Sequence, residues 1–575
     1  MRVTEMDGFE DLGSLLRASF DVHRGKKFVF PAAGRSVSYE EMLAQSDALA
    51  RGLRKNGISE GDTVGLLFAT TPEFIAAFIG VVSIGATVVP LPHPGGARAF
   101  NSYVQRLTRI VESSGMRIVL VGDEFFVYVS PLLESSGIRE VRAVRAEMLI
   151  EQGGASADQR FGAHSSDLAL VQYTSGSTAE PKGVALTHRN VLAGIRAIIS
   201  GIELTEHDVN GQWLPLHHDM GLIGMLSGIV AGVDHYLWSP AVFIRRPGPW
   251  LLEFSKCGAT IYAGPNFSYA TLLRKTTDDL LKQLDLGRWR IAFNGAEVID
   301  PTVVERFMDR FGKVGFRPST MFPVYGLAEA TLAVTFPALG EVPRVSWVDR
   351  AALADGRVSG RADATPADAR VELGRPDGSG TRGVVGVGTP VLGHEVRIVD
   401  SHGNAVEMTQ TGAIEVRGPA VMDHYLGMSP EASGVSDGGW VKTGDIGFMH
   451  EGRLHVTGRS KEMIIVRGSK YYPFDVEAVA REVPGVYRDH VIAFAYADEQ
   501  DERIVIMAET ENGSGTAREF EASVREAVVE ELGLSAVDIV SMKPRTLART
   551  TSGKFQRLLM RERLRAGELN DCRWS

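Results

Sequence analysis

Thr174, Ser175, Ser177 and Thr178 set four hydroxyls within five consecutive positions, with Gly176 among them and Lys182-Gly183 a few residues on. A glycine lets backbone N–H groups approach an anion without a Cβ in the way. Successive N–H groups in such a turn form an anion-binding nest, and hydroxyls add donors at short reach. The run therefore reads as a phosphate cradle. It is not a Walker loop, because the spacing G-x-x-x-x-G-K-[ST] is absent. Alone it would read equally well as a polar surface loop, and the residues downstream separate the two. His217-His218-Asp219 has the residue types of a metal cluster, but no further ligand stands at a useful spacing, so zinc is not expected.

The elements that position the cradle come from hydrophobic pattern. Leu168 to Tyr173 is an apolar run that predicts a buried strand leading straight into it. Upstream, Ser38 caps a helix beginning Tyr39-Glu40-Glu41, with Glu41 at the capping-box position. Strands are predicted at Thr63 to Phe68, Ala86 to Leu91 and Arg117 to Val121, with a helix around Phe74 between the first two. This alternation over residues 1 to about 165 predicts a wound α/β sheet. A second block, about 166 to 330, repeats it, with a helix from about Asn190 and strands at Ala259 to Ala263 and Arg290 to Asn294. The last of these runs into Gly295-Ala296-Glu297.

Residues about 333 to 388 are polar and rich in Ala, Asp, Arg and Gly. A structureless loop of that length is unusual inside a domain, so the stretch reads as an insertion with a job or a mobile segment. Glu395 to Gly418 alternates as a β-rich part would. From about 460 the pattern is α+β, and Phe520, Val524, Val528 and Leu532 form one stripe of a helix. With 575 residues the chain exceeds what one core usually carries. A net charge of −10 gives no nucleic-acid footprint. The two cysteines, Cys257 and Cys572, make no disulfide framework and point to a reducing cytoplasm. The acidic N-terminus is the wrong charge for a signal peptide. The apolar run Phe74 to Pro92 is broken by Gly80, Ser83, Gly85 and Pro90 and does not read as a membrane span.

The cradle is followed in order by Tyr325-Gly326-Leu327-Ala328-Glu329, Thr443-Gly444-Asp445, Gly458-Arg459-Ser460-Lys461-Glu462 and Ser552-Gly553-Lys554. Together these resemble the adenylate-forming (ANL) superfamily over nearly the whole chain. His218-Asp219-Met220-Gly221-Leu222-Ile223-Gly224, Asn294-Gly295-Ala296-Glu297 and Tyr472-Pro473-Phe474-Asp475-Val476-Glu477 are most similar to the fatty acyl-AMP ligases within it. The segment from Glu329 to Gly388 is longer than in acyl-CoA synthetases, as in the acyl-AMP ligases, which carry an insertion there. Ser469-Lys470 stands where the family often has an Asn.

The resemblance implies a large N-terminal domain, 1–459, of two wound α/β subdomains plus a β-rich subdomain. It implies a small mobile α+β domain, 460–575, swinging at a hinge at Lys461. The implied reaction joins a carboxylate to ATP, giving acyl-AMP and pyrophosphate. A carboxylate is already ionised at neutral pH and needs no general base, so catalysis falls to positioning and cationic donors. Lys554 would reach the carboxylate and α-phosphate. Glu329 would hold Mg²⁺, a hard ion that bridges phosphates. Thr174, Ser175, Gly176, Ser177, Thr178 and Lys182 would meet phosphates. Gly295, Ala296, Glu297, Tyr325, Gly326 and Leu327 would surround the adenine, and Asp445 and Arg459 the ribose. His218 and Asp219 would line the carboxylate end of an acyl pocket continued by Met220, Gly221, Gly224, Met225 and Gly228, although that apolar segment is equally plain core.

The acceptor implied is the phosphopantetheine thiol of a holo acyl carrier protein in a polyketide, lipid or lipopeptide pathway. The insertion is expected to restrain the small domain and disfavour free CoA. Alternatives are a true acyl-CoA synthetase, a catalytically silent acyl or nucleotide sensor, and an amino-acid adenylation domain. Against the last, its amine-binding aspartate sits in a different local motif, beside an aromatic. Against the silent sensor, Lys554, Glu329 and Asp445 are all intact.

Overall fold

Two mainly parallel sheets organise the first two thirds of the computed structural model, which describes residues 3–93, 100–135, 141–154, 163–174, 181–358, 380–407, 410–466, 469–497, 502–511, 514–534, 537–550 and 553–574. The six-stranded sheet runs Arg142–Arg145, Ile118–Val121, Thr63–Leu67, Thr87–Pro90, Leu168–Thr174, Lys182–Thr187, with only the last pair antiparallel. The seven-stranded sheet runs Met321–Pro323, Ile291–Gly295, Ile261–Pro265, Val209–Gln212, Asp234–Leu237, Lys27–Phe30, Arg35–Ser38. Its last pair is likewise antiparallel and the rest are parallel. Thr87–Pro90 and Ile118–Val121 are buried at every position. Covered on both faces, they read as continuous apolar runs without alternation.

The sheets do not follow the two sequence blocks. The cradle-leading strand Leu168–Thr174 belongs to the earlier sheet, and the N-terminal pair Lys27–Phe30 and Arg35–Ser38 closes the later one. Strand pairing across such distances leaves no local pattern, which is why a reading along the chain divides at residue 165 instead. Local signals fare better. Ser38 accepts from the Glu41 N–H while Glu41 accepts from the Ser38 N–H at 2.8 Å, completing the capping box of helix Tyr39–Lys55.

One core spans both sheets, with Trp213, Trp238 and Trp250 fully buried in it. A four-stranded antiparallel sheet follows, Glu395–Val399, Gly412–Arg417, Val441–His450 and Arg453–Arg459. Beyond it, Val486–Ala497, Glu502–Thr510 and Val537–Met542 make a sheet covered on both faces. Ile504, Ile506 and Ala508 point to a core that includes Val524 and Val528 of helix Ser514–Leu532. The intervening Val505 and Met507 point to a separate core with Leu547 and Met560. This period of two is the strand's own.

The stretch from about 333 to 388, which reads from sequence as an insertion with a job or a mobile segment, carries strands at both ends, while residues 359–379 lie outside the described residues. Ala333–Phe336 joins Tyr325–Gly326 and Thr389–Pro390 in a small sheet. Val345–Asp349 pairs antiparallel with Thr381–Val385, backbone bonds that composition does not announce. Arg382, on the second of these strands, is 3% exposed. It donates to the Thr457 carbonyl at 2.7 Å and meets Asp475 at 3.2 Å. Its guanidinium lies over Tyr472 and Phe474 at 4.7 and 5.3 Å. Buried charge persists only when paired and hydrogen-bonded in this way. Among the described residues no helix is long and apolar enough to cross a membrane.

Candidate active site

In parallel sheets the carboxyl ends of the strands share one rim, and ligands bind outside it. Ile261–Pro265, Ile291–Gly295 and Met321–Pro323 therefore deliver Asn266-Phe267, Ala296-Glu297 and Val324-Tyr325 to one place. A cleft of ≈ 2620 Å³ opens there. Ala296 takes a left-handed backbone (φ 66°), uncommon for a residue with a Cβ. Gly295 packs where a Cβ would stand 2.8 Å from the Val324 carbonyl. Gly326 does the same against Leu332, so neither position has room for a side chain.

Tyr325 is buried and donates its hydroxyl to Asp445 Oδ2 at 2.7 Å. Arg459 Nε donates to Asp445 Oδ1 at 3.0 Å from the directly opposed position of the next strand. Each carboxylate oxygen of Asp445 keeps a lone pair for a further donor. Glu329, in the turn Ala328–Ala330, accepts from the Tyr425 hydroxyl at 2.7 Å. The Lys182 ammonium lies 4.7 Å over the Tyr425 ring. Thr331, which follows that turn, is β-branched yet has φ 62°. Its hydroxyl donates to Ala420 at 2.7 Å and to Asn190 at 3.3 Å, bonds that hold a strained backbone beside Glu329.

Lys554 enters from the C-terminal part on a tight hairpin. Thr550 N–H donates to the Lys554 carbonyl at 2.8 Å, and Gly553 N–H to the Thr550 carbonyl at 2.9 Å. Gly553 (φ 90°) packs against the Phe267 ring, whose nearest atom stands 2.5 Å from where a Cβ would be. Asp219 meets His218 Nδ1 at 2.6 Å and accepts from the Met220 N–H at 2.7 Å.

The charges form one system. Burial lowers the Lys554 pKa, and Asp219, Glu297 and Asp445 act against that. Burial disfavours charge on Asp219 too, but His218 and Lys554 more than offset it, and its carboxyl lies below the usual range. Burial raises Glu329 and Glu297 above the usual carboxylate range. Asp445 holds Arg459 firmly protonated.

Of the residues expected from sequence, Lys554, Glu329, His218, Asp219, Thr174, Lys182, Ala296, Glu297, Tyr325, Gly326, Leu327, Asp445, Arg459 and the expected hinge residue Lys461 line this cleft. Ser175, Gly176, Ser177 and Thr178 lie outside the described residues. The expected acyl pocket divides. Met220 and Gly224 face the cleft, and a Cβ on Gly224 would meet nothing within 4 Å. Gly221, Met225 and Gly228 are core instead. Gly221 is pressed on the Pro215 carbonyl, Met225 is fully buried in the main core, and a Cβ on Gly228 would stand 2.5 Å from the His235 ring. The sequence reading also missed Phe267 and Tyr425, which carry no motif, and the apolar lining residues Ile198, Ala263, Phe293 and Phe336.

The AMP-binding enzyme family model matches residues 16–426. The medium-chain-fatty-acid–[acyl-carrier-protein] ligase JamA of Moorena producens is 32% identical over 553 residues, 93% of this chain and 91% of that one. The long-chain-fatty-acid–AMP ligase FadD26 of Mycobacterium marinum is 30% identical over 556 residues, 93% of this chain and 92% of its own. A structure from a study of fatty acyl-adenylate ligases of E. coli and L. pneumophila superposes with TM-score 0.88 at 29% identity, covering 98% of this chain and 99% of that one. The chain belongs to the AMP-binding enzymes and, among them, to the fatty acyl-AMP ligases. It is a ligase that forms an acyl-adenylate.

Two outcomes are expected from this geometry. In Gly553→Ala, acid-dependent ATP–pyrophosphate exchange falls because the new methyl displaces the hairpin, and adding Phe267→Ala restores part of it. Exchange at the parent rate in the single variant would show that the Gly553–Phe267 contact does not set the position of the lysine. The pH profile of exchange is narrower than two exposed groups would give. It falls on the acid side above the usual glutamate range (about 4.3) as Glu329 protonates, and on the alkaline side below the usual lysine range (about 10.4) as Lys554 loses its proton. In Lys554→Arg the alkaline limb moves to higher pH.

Proposed function

We propose that the chain activates a fatty acid as its adenylate in this cleft and passes the acyl group to the phosphopantetheine thiol of a holo acyl carrier protein, acting in the cytoplasm. The observation that carries the reading is Lys554, electrostatically coupled to Asp219, Glu297, Asp445 and Arg459 inside a single cleft. A carboxylate oxygen attacks the α-phosphorus of ATP, and pyrophosphate leaves with the electron pair of the broken P–O bond. Lys554 donates to both anions as they meet, and removing it costs about 10²–10³ in rate. His218 and Asp219 stand at the carboxylate end. Tyr325 supplies a flat face for adenine, Asp445 and Arg459 hold the ribose, and Thr174 and Lys182 flank the phosphates.

No cluster of three or more His, Cys, Asp or Glu side chains among the described residues is arranged to hold a metal. One buried carboxylate in the cleft fits Mg²⁺ all the same, since that ion takes one or two carboxylates plus substrate phosphates. Glu329 would hold it, and the ion when bound would neutralise phosphate charge.

Residues from Ser460 onward act as a small domain that swings about Lys461 for the second step. There the thiol sulfur attacks the acyl carbonyl and AMP leaves. The contact of Arg382 with Asp475, Tyr472 and Phe474 ties the insertion to that domain and favours the carrier over the acyl-CoA synthetase reading. JamA, named for ligation to acyl carrier protein, supports the same acceptor.

The test is mass spectrometry of the protein with ATP, Mg²⁺ and a ladder of fatty acids, with no acceptor, free CoA or holo carrier protein. Acyl-AMP and acyl-carrier without acyl-CoA is the expected result, whereas rapid acyl-CoA formation would make it a synthetase. In Gly224→Leu the ladder shifts to shorter chains, each lost methylene contact being worth about 0.8 kcal/mol. Arg382→Ala gains CoA turnover; a folded, adenylating variant with none would leave the insertion without its restraining role.

A further inference from the structure

The backbone bonds of the Lys554 hairpin fix its shape but not its place, which is set at the stem. There stands Glu509, 0% exposed. Its Oε1 accepts from the Thr546 and Leu547 N–H groups at 2.7 and 2.8 Å. Its Oε2 meets His490 Nδ1 at 2.7 Å. The His490 ring stands edge-on to Phe555, the residue after Lys554, at 5.6 Å and 80°. One limb of the hairpin thus rests on Glu509 and the other on its partner. Asp489, beside His490, pairs with Arg274. Arg274 closes the helix Asn266–Lys275, whose start supplies the Phe267 ring under Gly553. Arg488 and Asp489 both hold left-handed backbones (φ 52° and 58°), so the turn that presents His490 is fixed by its surroundings. A buried carboxylate is costly even when well paired, and apolar residues of similar volume often serve stability as well. This one joins the docking contact to both limbs of the lysine hairpin.

We infer that Glu509, oriented by His490, is the positioning residue for Lys554. It sets the hairpin's height when the C-terminal part docks on helix Asn266–Lys275. The inference rests on the role given to Lys554 above.

The experiment is acid-dependent ATP–pyrophosphate exchange in the full chain, comparing Glu509→Ala, Glu509→Gln, His490→Ala, Lys554→Ala and the Glu509→Ala/Lys554→Ala double variant, with thermal midpoints taken alongside. Glu509→Ala and His490→Ala are expected to lose about 10²-fold in kcat with KM for ATP unchanged, the size of effect a misplaced catalytic group produces. Glu509→Gln recovers most of the rate, because its amide oxygen accepts from the same N–H groups. The double variant is no slower than Lys554→Ala, since groups acting as one unit are not additive. Losses that multiply in the double variant, or full exchange in both Glu509→Ala and His490→Ala, would overturn the inference while leaving Lys554 its role. Full exchange in Lys554→Ala would instead remove the reading beneath it. His490→Ala keeps the test open if Glu509→Ala does not fold, because it leaves the carboxylate on its two N–H groups.

Discussion

The Lys554 ammonium sits where burial works against its charge, and the carboxylates of Asp219, Glu297 and Asp445 act in favour of that charge. Those carboxylates come from three separate stretches of the large part of the chain, and none comes from the part that carries the lysine. The charge balance therefore depends on the packing of those parts. A carboxylate lined up beside a polyphosphate would be repelled by the same acidic walls without that cation. The positive charge offered in the cleft and the contact that brings Lys554 into it are one electrostatic fact.

The surrounding architecture serves that contact. Parallel strands bring Phe267, Glu297 and Tyr325 to a common rim, and the opposed pair Asp445 and Arg459 arrives from a different sheet. Tyr325 and Asp445 are then joined by one hydrogen bond, and Glu329 and Tyr425 by another. Each bond spans two elements and so ties one wall of the cleft to another. Ala296 and Thr331 give this rim two left-handed backbones at residues that carry a Cβ.

Much of the cleft's lining was legible because it stands in short motifs. Lys554, Asp445, Arg459 and Glu329 each stand in a local pattern that a linear reading finds. The capping box at Ser38 and the stripe from Phe520 to Leu532 were legible for the same reason, since both depend on neighbours three or four positions away. Phe267 and Tyr425 were not, because their roles depend on partners far along the chain. Gly221 and Gly228 misled for a related cause. A glycine opposite empty space and a glycine pressed on a carbonyl look the same in sequence, and only the packing partner distinguishes Gly224 from the other two.

The strand Lys27–Phe30 pairs with Asp234–Leu237, and the Lys27 N–H donates to Asp234 across 207 positions. During synthesis at about 5–20 residues per second, roughly 10–40 s pass before that partner is made. Meanwhile the N-terminal hairpin has only Arg35–Ser38 beside it, and a lone two-stranded pair is marginal in water. Its open edge is a template for wrong pairing for that whole interval. Interlocking the two sheets thus makes the nascent chain depend on protection of that edge, a burden that two sheets built one after the other would not carry.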